Sequence, residues 1–124
     1  MKRALLLVPS LLAVLPARAE MFGPDYSPCG DKPSTLSIVE CVQAKTNVSD
    51  RRLNAAYKAL QARIDAAQRR PLLAAQRLWV QYRDANCGFY GVQDGSIRQV
   101  QAAECIRSMT EDRARELEKA MTFD

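Results

Sequence analysis

The stretch DRRLNAAYKALQARI, residues 50–64, decides the fold. Leu53, Tyr57, Leu60 and Ile64 recur there at intervals of four, three and four, the spacing of one apolar face on an α-helix. Upstream, no Gly or Pro interrupts the chain as far back as Pro33, and Ser34 and the Ser37-x-x-Glu40 capping pattern offer starts. The first helix is therefore expected from Ser34 to about Ala67. Asn47-x-x-Asp50 is a further start signal, which leaves this helix open to a kink or break near Thr46.

Working outward, Pro71 suits the first turn of a second helix. Leu72, Ala75, Trp79 and Tyr82 follow at intervals of three, four and three, with Leu78, Ala85 and Phe89 widening the same face. Gly88 and Gly91 end it. Asp94-Gly95 is a turn pair, and Ser96-x-x-Gln99 caps a third helix running to about Met121. No strand-like alternation competes. The expectation is an all-α fold: a small antiparallel bundle of three main helices, with Trp79, Tyr57 and Tyr82 as its bulkiest core residues. Residues 20–33, with Gly23, Pro24, Pro28, Gly30 and Pro33, read as an irregular lead-in to a helical domain spanning 34–124.

The first 19 residues have the layout of a removable export signal. Lys2 and Arg3 precede an apolar run from Ala4 to Leu15, and Ala17-Arg18-Ala19 is a small-x-small cleavage site. The run is too short to span a bilayer, which takes about 20 apolar residues. The chain is read as periplasmic or secreted, cleaved after Ala19, with no membrane insertion. The whole 124-residue sequence has a formal charge of +4, but removing Lys2, Arg3 and Arg18 leaves 15 basic residues against 14 acidic ones. A near-neutral chain with few aromatics lacks the footprint of a nucleic-acid binder. The absence of His excludes imidazole bases, Ser-His or Cys-His nucleophiles and His metal ligands.

Four cysteines in an exported chain imply two disulfides. None has Cys-x-x-Cys spacing, so no zinc or redox motif is present. Sequence permits three pairings. Counting helical rise from the end where the first helix starts brings Cys41 and Cys105 nearly level, and Cys87 close to the lead-in with Cys29. This favours Cys41–Cys105 with Cys29–Cys87; the main alternative is Cys29–Cys41 with Cys87–Cys105.

One composite pattern runs through the chain. Glu40-Cys41 leads to Asp50-x-x-Leu53-Asn54-x-x-Tyr57-x-x-Leu60, then Ala75-Gln76-Arg77-x-Trp79-x-x-Tyr82-Arg83-Asp84-x-x-Cys87. Gly95-Ser96, Cys105 and Thr110-x-x-Arg113-x-x-x-Leu117 complete it. This resembles the LprI-type lysozyme-inhibitor N-terminal domain family over roughly Cys29 to Leu117. Where other members often carry Gly-Gly-Ser, this chain has Asp94-Gly95-Ser96. The resemblance implies an exported, disulfide-bonded helical domain and, for some members, binding and inhibition of lysozyme.

Read physically, Asp50, Arg77 and Arg113 fall at a similar depth and are expected to form a polar cluster that sets helix register. Asn54 and Gln76 are expected to satisfy neighbouring polar groups, and Asp84 to accept from Arg83, Arg77 or backbone. An enzyme would have to use Glu40, Asp50, Asp84 or Glu104, and no spacing selects a pair among them. No catalytic residue, cofactor or metal site is assigned.

A binder would use one of two surfaces. The connection Phe89-Tyr90-Gly91-Val92-Gln93-Asp94-Gly95-Ser96 has two aromatics and a pliable backbone; otherwise Phe89 and Tyr90 simply finish the core. Glu104, Glu111 and Glu118, at seven-residue spacing, form an acidic stripe suited to basic lysozymes, or an ordinary solvated face laced by pairs such as Glu111–Arg115. The chain is read as a monomeric, non-enzymatic binding protein. The alternative is an envelope or stress adaptor, or a toxin-immunity protein, without lysozyme inhibition.

Overall fold

A computed structural model describes residues 20–122. The export signal read at 1–19 lies outside the described residues. The order is α1 (Ser27–Gly30), α2 (Thr35–Arg63), α3 (Ala66–Gly91) and α4 (Ile97–Ala120), with no strand among the described residues. The fold is the expected all-α bundle of three long helices.

Local chemistry sets the boundaries. Ser34 caps α2: its Oγ accepts from the Ser37 N–H, and the Ser37 Oγ accepts from the Ser34 N–H, both at 3.1 Å. The box therefore uses Ser34 and Ser37, not Ser37 and Glu40. No break occurs near Thr46. Its hydroxyl instead donates back to the Val42 carbonyl at 3.1 Å, and α2 runs unbroken. The chain turns at Ile64 and Asp65, both extended, where neither Gly nor Pro marks the place. Asp65 caps α3 by accepting from the Gln68 N–H at 2.9 Å. Helix α3 thus begins before Pro71, which sits inside it. A side-chain cap at Asp65 outweighed the proline's preference for the first turn.

Helix α4 carries most of the interhelical packing, lying along α2 and along α3. It is buried on more than one face, with Glu104, Arg107, Ser108, Thr110, Glu111 and Arg113 inside beside Val100, Ala114 and Leu117. The apolar core lies toward the α2–α3 turn, where Leu53, Ala56 and Leu60 meet Ala114 and Leu117, flanked by Tyr57, Leu72 and Trp79. The other half of the α2–α4 interface is polar.

Both disulfides form, but with the alternative connectivity: Cys29–Cys41 and Cys87–Cys105. The expected Cys41–Cys105 and Cys29–Cys87 bridges are absent. The depth count assumed that the lead-in passes the end of the second helix. Instead α1 packs on α2, which brings the Cα atoms of Cys29 and Cys41 within 5.5 Å. Cys87 and Cys105 then face each other across the α3–α4 hairpin at 5.4 Å.

Tyr82 is not a core residue. It is 63 % exposed, and Ala75, Leu78, Ala85 and Phe89 are exposed with it. The side of α3 turned inward carries Leu72, Gln76, Trp79, Arg83, Asn86 and Cys87. The apolar surface of α3 is broader than α4 alone can cover.

Candidate functional site

The α3–α4 end is built on the Cys87–Cys105 bridge. Met109 lies against it, with its Sδ 3.7 Å from the Cys87 sulfur and 3.9 Å from that of Cys105. The Asn86 amide donates to that thioether at 3.3 Å. Beyond the bridge, α3 ends with Phe89 and Tyr90 in edge-to-face contact at 5.3 Å. The Tyr90 carbonyl accepts from the Val92 and Gln93 N–H groups. Gly95 turns the chain at φ +84°, a conformation that disfavours any side chain. Ser96 makes no side-chain cap, contrary to expectation; its backbone is already helical and its carbonyl accepts from Gln99.

What this end presents is apolar. Phe89 is 63 %, Val92 82 % and Ile97 51 % exposed. Phe89 therefore does not finish the core, although Tyr90 is half-buried. Asp94 and Ser96 are exposed and Gln93 is partly so. Val92 belongs to the connection that the sequence offered as a binding surface, whereas Ile97, read there only as part of the inward row of the third helix, is exposed beside it.

The acidic row on α4 is not a surface stripe. Glu104 is wholly buried and receives Arg107 through two hydrogen bonds of 2.6 and 2.7 Å. It also accepts from the Phe22 N–H at 3.1 Å, while Arg107 donates to the Glu20 carbonyl at 3.1 Å. Phe22 itself sits at φ +59°. The buried pair thus anchors the lead-in. Burial disfavours charge on Arg107, but the hydrogen bond and charge of Glu104 outweigh it and raise its pKa. Glu111, also buried, accepts from Ser49 at 2.5 Å, from Arg52 and from Arg115. Burial opposes its ionisation, but Ser49 and Arg52 prevail and hold its pKa below the ordinary value. Arg52 bridges Glu118 and Glu111 with its two-pronged guanidinium, and those bonds raise its own pKa. Of the three glutamates only Glu118 keeps substantial exposure.

The expected Asp50–Arg77–Arg113 cluster does not assemble. Asp50 is exposed and accepts from Asn54 at 3.2 Å, and Arg77 is exposed on the outer side of α3. Arg113 instead donates to Gln76 at 3.0 Å, pairs with Glu116 at 2.8 Å and lies over the Trp79 ring at 5.9 Å. Arg83 covers the same ring at 5.1 Å and pairs with Asp84. Tyr57 accepts from Gln61 at 2.6 Å. Equal depth along a bundle says nothing about which face of each helix looks inward.

No group of residues among those described could hold a metal ion. A cavity of about 560 Å³ opens at the far end, lined by Leu60, Ile64, Pro71, Leu72 and Met121 among others, and no carboxylate lines it. No helix among the described residues is long and apolar enough to cross a membrane.

The family described as Lysozyme inhibitor LprI matches residues 29–117, from the first bridged cysteine to the last core leucine. The chain belongs to this family. It is similar to an uncharacterized protein of Rhizobium meliloti (strain 1021), 31 % identical over 126 residues, covering 90 % of this chain and 88 % of that one. No solved structure matches. The matched span takes in both disulfides, the Trp79 cluster and the exposed α3–α4 end, so the LprI signature covers the scaffold and its apolar tip together. The family is described as one of lysozyme inhibitors, and this chain's two disulfides accord with export.

Proposed function

We propose that this chain is an exported, non-catalytic protein-binding module whose target is lysozyme, and that the α3–α4 tip makes the contact. One observation carries the reading: Phe89 at the end of α3, Val92 on the turn and Ile97 at the start of α4 all stand exposed, and Cys87–Cys105 clamps the two helices below them. A rigid apolar projection loses little conformational freedom on binding, which is how preorganised inhibitors gain affinity. Asp94, exposed on the same turn, adds a negative charge suited to a basic enzyme. Buried Glu104 and Glu111 take no part, because internal partners already occupy them.

The test is lysis of a cell-wall suspension by lysozyme, followed by turbidity, with the purified chain added. Inhibition is expected to be dose-dependent. Val92→Glu with Ile97→Glu weakens it at least about tenfold, as loss of a central apolar anchor does, with an unchanged helical spectrum. Absence of inhibition by the unaltered chain overturns the reading. Retrieval of a different envelope protein in a pull-down would then favour an adaptor or immunity role.

A further inference from the structure

Helix α3 has a second apolar face that nothing in the bundle covers. Ala75, Leu78, Tyr82, Ala85 and Phe89 recur on α3 at intervals of three, four, three and four, Val92 follows three residues on as its C-cap, and all six are exposed. This is the alternation of a coiled-coil seam, sustained on the helix over about 21 Å from Ala75 to Phe89. It differs from the inward face of α3, which is centred on Trp79 and turned to α4. A scatter of surface leucines would not keep this period.

We infer that this seam is a self-association surface, and that its occupant is α3 of a second copy packed antiparallel. Three observations select a second copy over another protein. First, the seam is self-complementary. In an antiparallel pair, where first-position and fourth-position residues of the heptad meet, Tyr82 lies against Ala85 of the second copy, Leu78 against its Phe89, and Ala75 against its Val92. A large side chain meets a small one in two of these three layers. Second, no charge opposes self-pairing. The seam holds no ionisable group besides the Tyr82 phenol, and its outer edge is formed by Ala74, Gln81 and Gly88, small or uncharged residues that let two helices approach. Arg77 and Asp84 are exposed beyond that edge, about 100° round the helix from Leu78 and Ala85. A basic target would call for negative charge within the seam, and none of its six residues is acidic.

Third, the area reaches what a weak dimer needs. Leu78, Tyr82, Phe89 and Val92 are 64, 63, 63 and 82 % exposed. With an aromatic side chain covering roughly 150–250 Å², these four offer on the order of 500 Å² per copy. Two copies then bury about 1,000 Å² in total, the lower limit for a biological interface and the size of a weak, transient one. The monomer expected from sequence assumed that this face packs inside one chain.

This inference shares Phe89 and Val92 with the lysozyme reading but does not rest on it, and Leu78 and Tyr82 separate the two. By helical rise, Tyr82 and Leu78 lie about 15 and 21 Å along the helix from Val92, and Ile97 is off the seam. The test is sedimentation velocity of the purified chain across the micromolar range, with Leu78→Glu and Tyr82→Glu made singly. Both positions face outward, so the fold is retained, and the far-UV spectrum checks this. The unaltered chain is expected to shift from monomer to dimer with rising concentration. Each variant weakens the dimer by at least about tenfold, the effect of losing a central anchor, while Arg77→Glu leaves it unchanged. The Leu78 and Tyr82 variants keep lysozyme inhibition if the tip alone mediates it, and Ile97→Glu keeps the dimer. A chain that stays monomeric throughout, or a dimer equally tight in both seam variants, overturns the inference.

Discussion

Glu104 and Arg107 stand one turn apart on α4, both almost wholly inside the protein, joined by two short hydrogen bonds and together gripping the backbone of Glu20 and Phe22. An ion pair buried this deeply is costly to break from one side, because without Glu104 the buried Arg107 keeps only Asp25 at 3.7 Å and the Glu20 carbonyl.

Glu104→Ala is therefore expected to lower stability by about 3–5 kcal/mol, the range for breaking a buried pair. It should also free the lead-in. Urea denaturation measures the first effect. Limited proteolysis measures the second, as faster cleavage ahead of Cys29. An unchanged urea midpoint would show that the pair contributes nothing.

Acid sensitivity follows from Glu111. Its folded pKa lies below its ordinary value of 4.5, so its contribution is complete above that pH. The contribution is lost as pH falls through the lower folded value, because the unfolded chain takes up the proton first. Stability measured by urea at stepped pH should fall below pH 4.5 more steeply in the unaltered chain than in Glu111→Gln. The variant should already be weaker at neutral pH, since Arg52 and Arg115 lose their shared carboxylate. Parallel curves would remove Glu111 from the acid response.

The two bridges close loops of 12 and 18 residues. In the chain-entropy account each contributes about 3 kcal/mol. Paired Cys→Ser replacements should each cost about that much by thermal or urea unfolding. They should differ in place: losing Cys29–Cys41 loosens the lead-in, and losing Cys87–Cys105 loosens the tip. Peptide mapping of the unreduced protein should recover the 29–41 and 87–105 links, and a 41–105 link would refute this connectivity.

Neighbouring aromatics on α3 should behave oppositely. Trp79 packs on the core and lies under Arg83 and Arg113, so Trp79→Ala is expected to cost about 2–4 kcal/mol, toward the lower part of the large-to-small range. Tyr82→Ala, measured at a concentration where the chain is monomeric, should change stability by less than about 0.5 kcal/mol, as exposed positions do. Equal losses would mean that the outward face of α3 is packed within the monomer.

Gly95 supplies the left-handed turn at the tip. Nothing lies within 4 Å of an added Cβ there, so Gly95→Ala carries only the backbone penalty, about 1 kcal/mol. The urea midpoint should drop slightly. A larger effect on lysozyme inhibition than on stability would tie the shape of the turn to binding.

The sequence by itself determined the helical class, the number of long helices, the even set of four cysteines and the family. Each rests on local information: apolar period, turn residues and a composite motif spread along the chain. Tertiary structure decided what local information cannot carry. Helical rise put Asp50, Arg77 and Arg113 at one level, but azimuth left Asp50 and Arg77 facing solvent. Seven-residue spacing put Glu104, Glu111 and Glu118 on one row, but only packing placed most of that row inside, against Arg107, Ser49 and Arg52. The broad apolar surface of α3 looked like one core face until α4 proved wide enough to cover only part of it. A one-dimensional pattern fixes which residues share a side of a helix; which side meets a neighbour depends on how the helices pack in three dimensions.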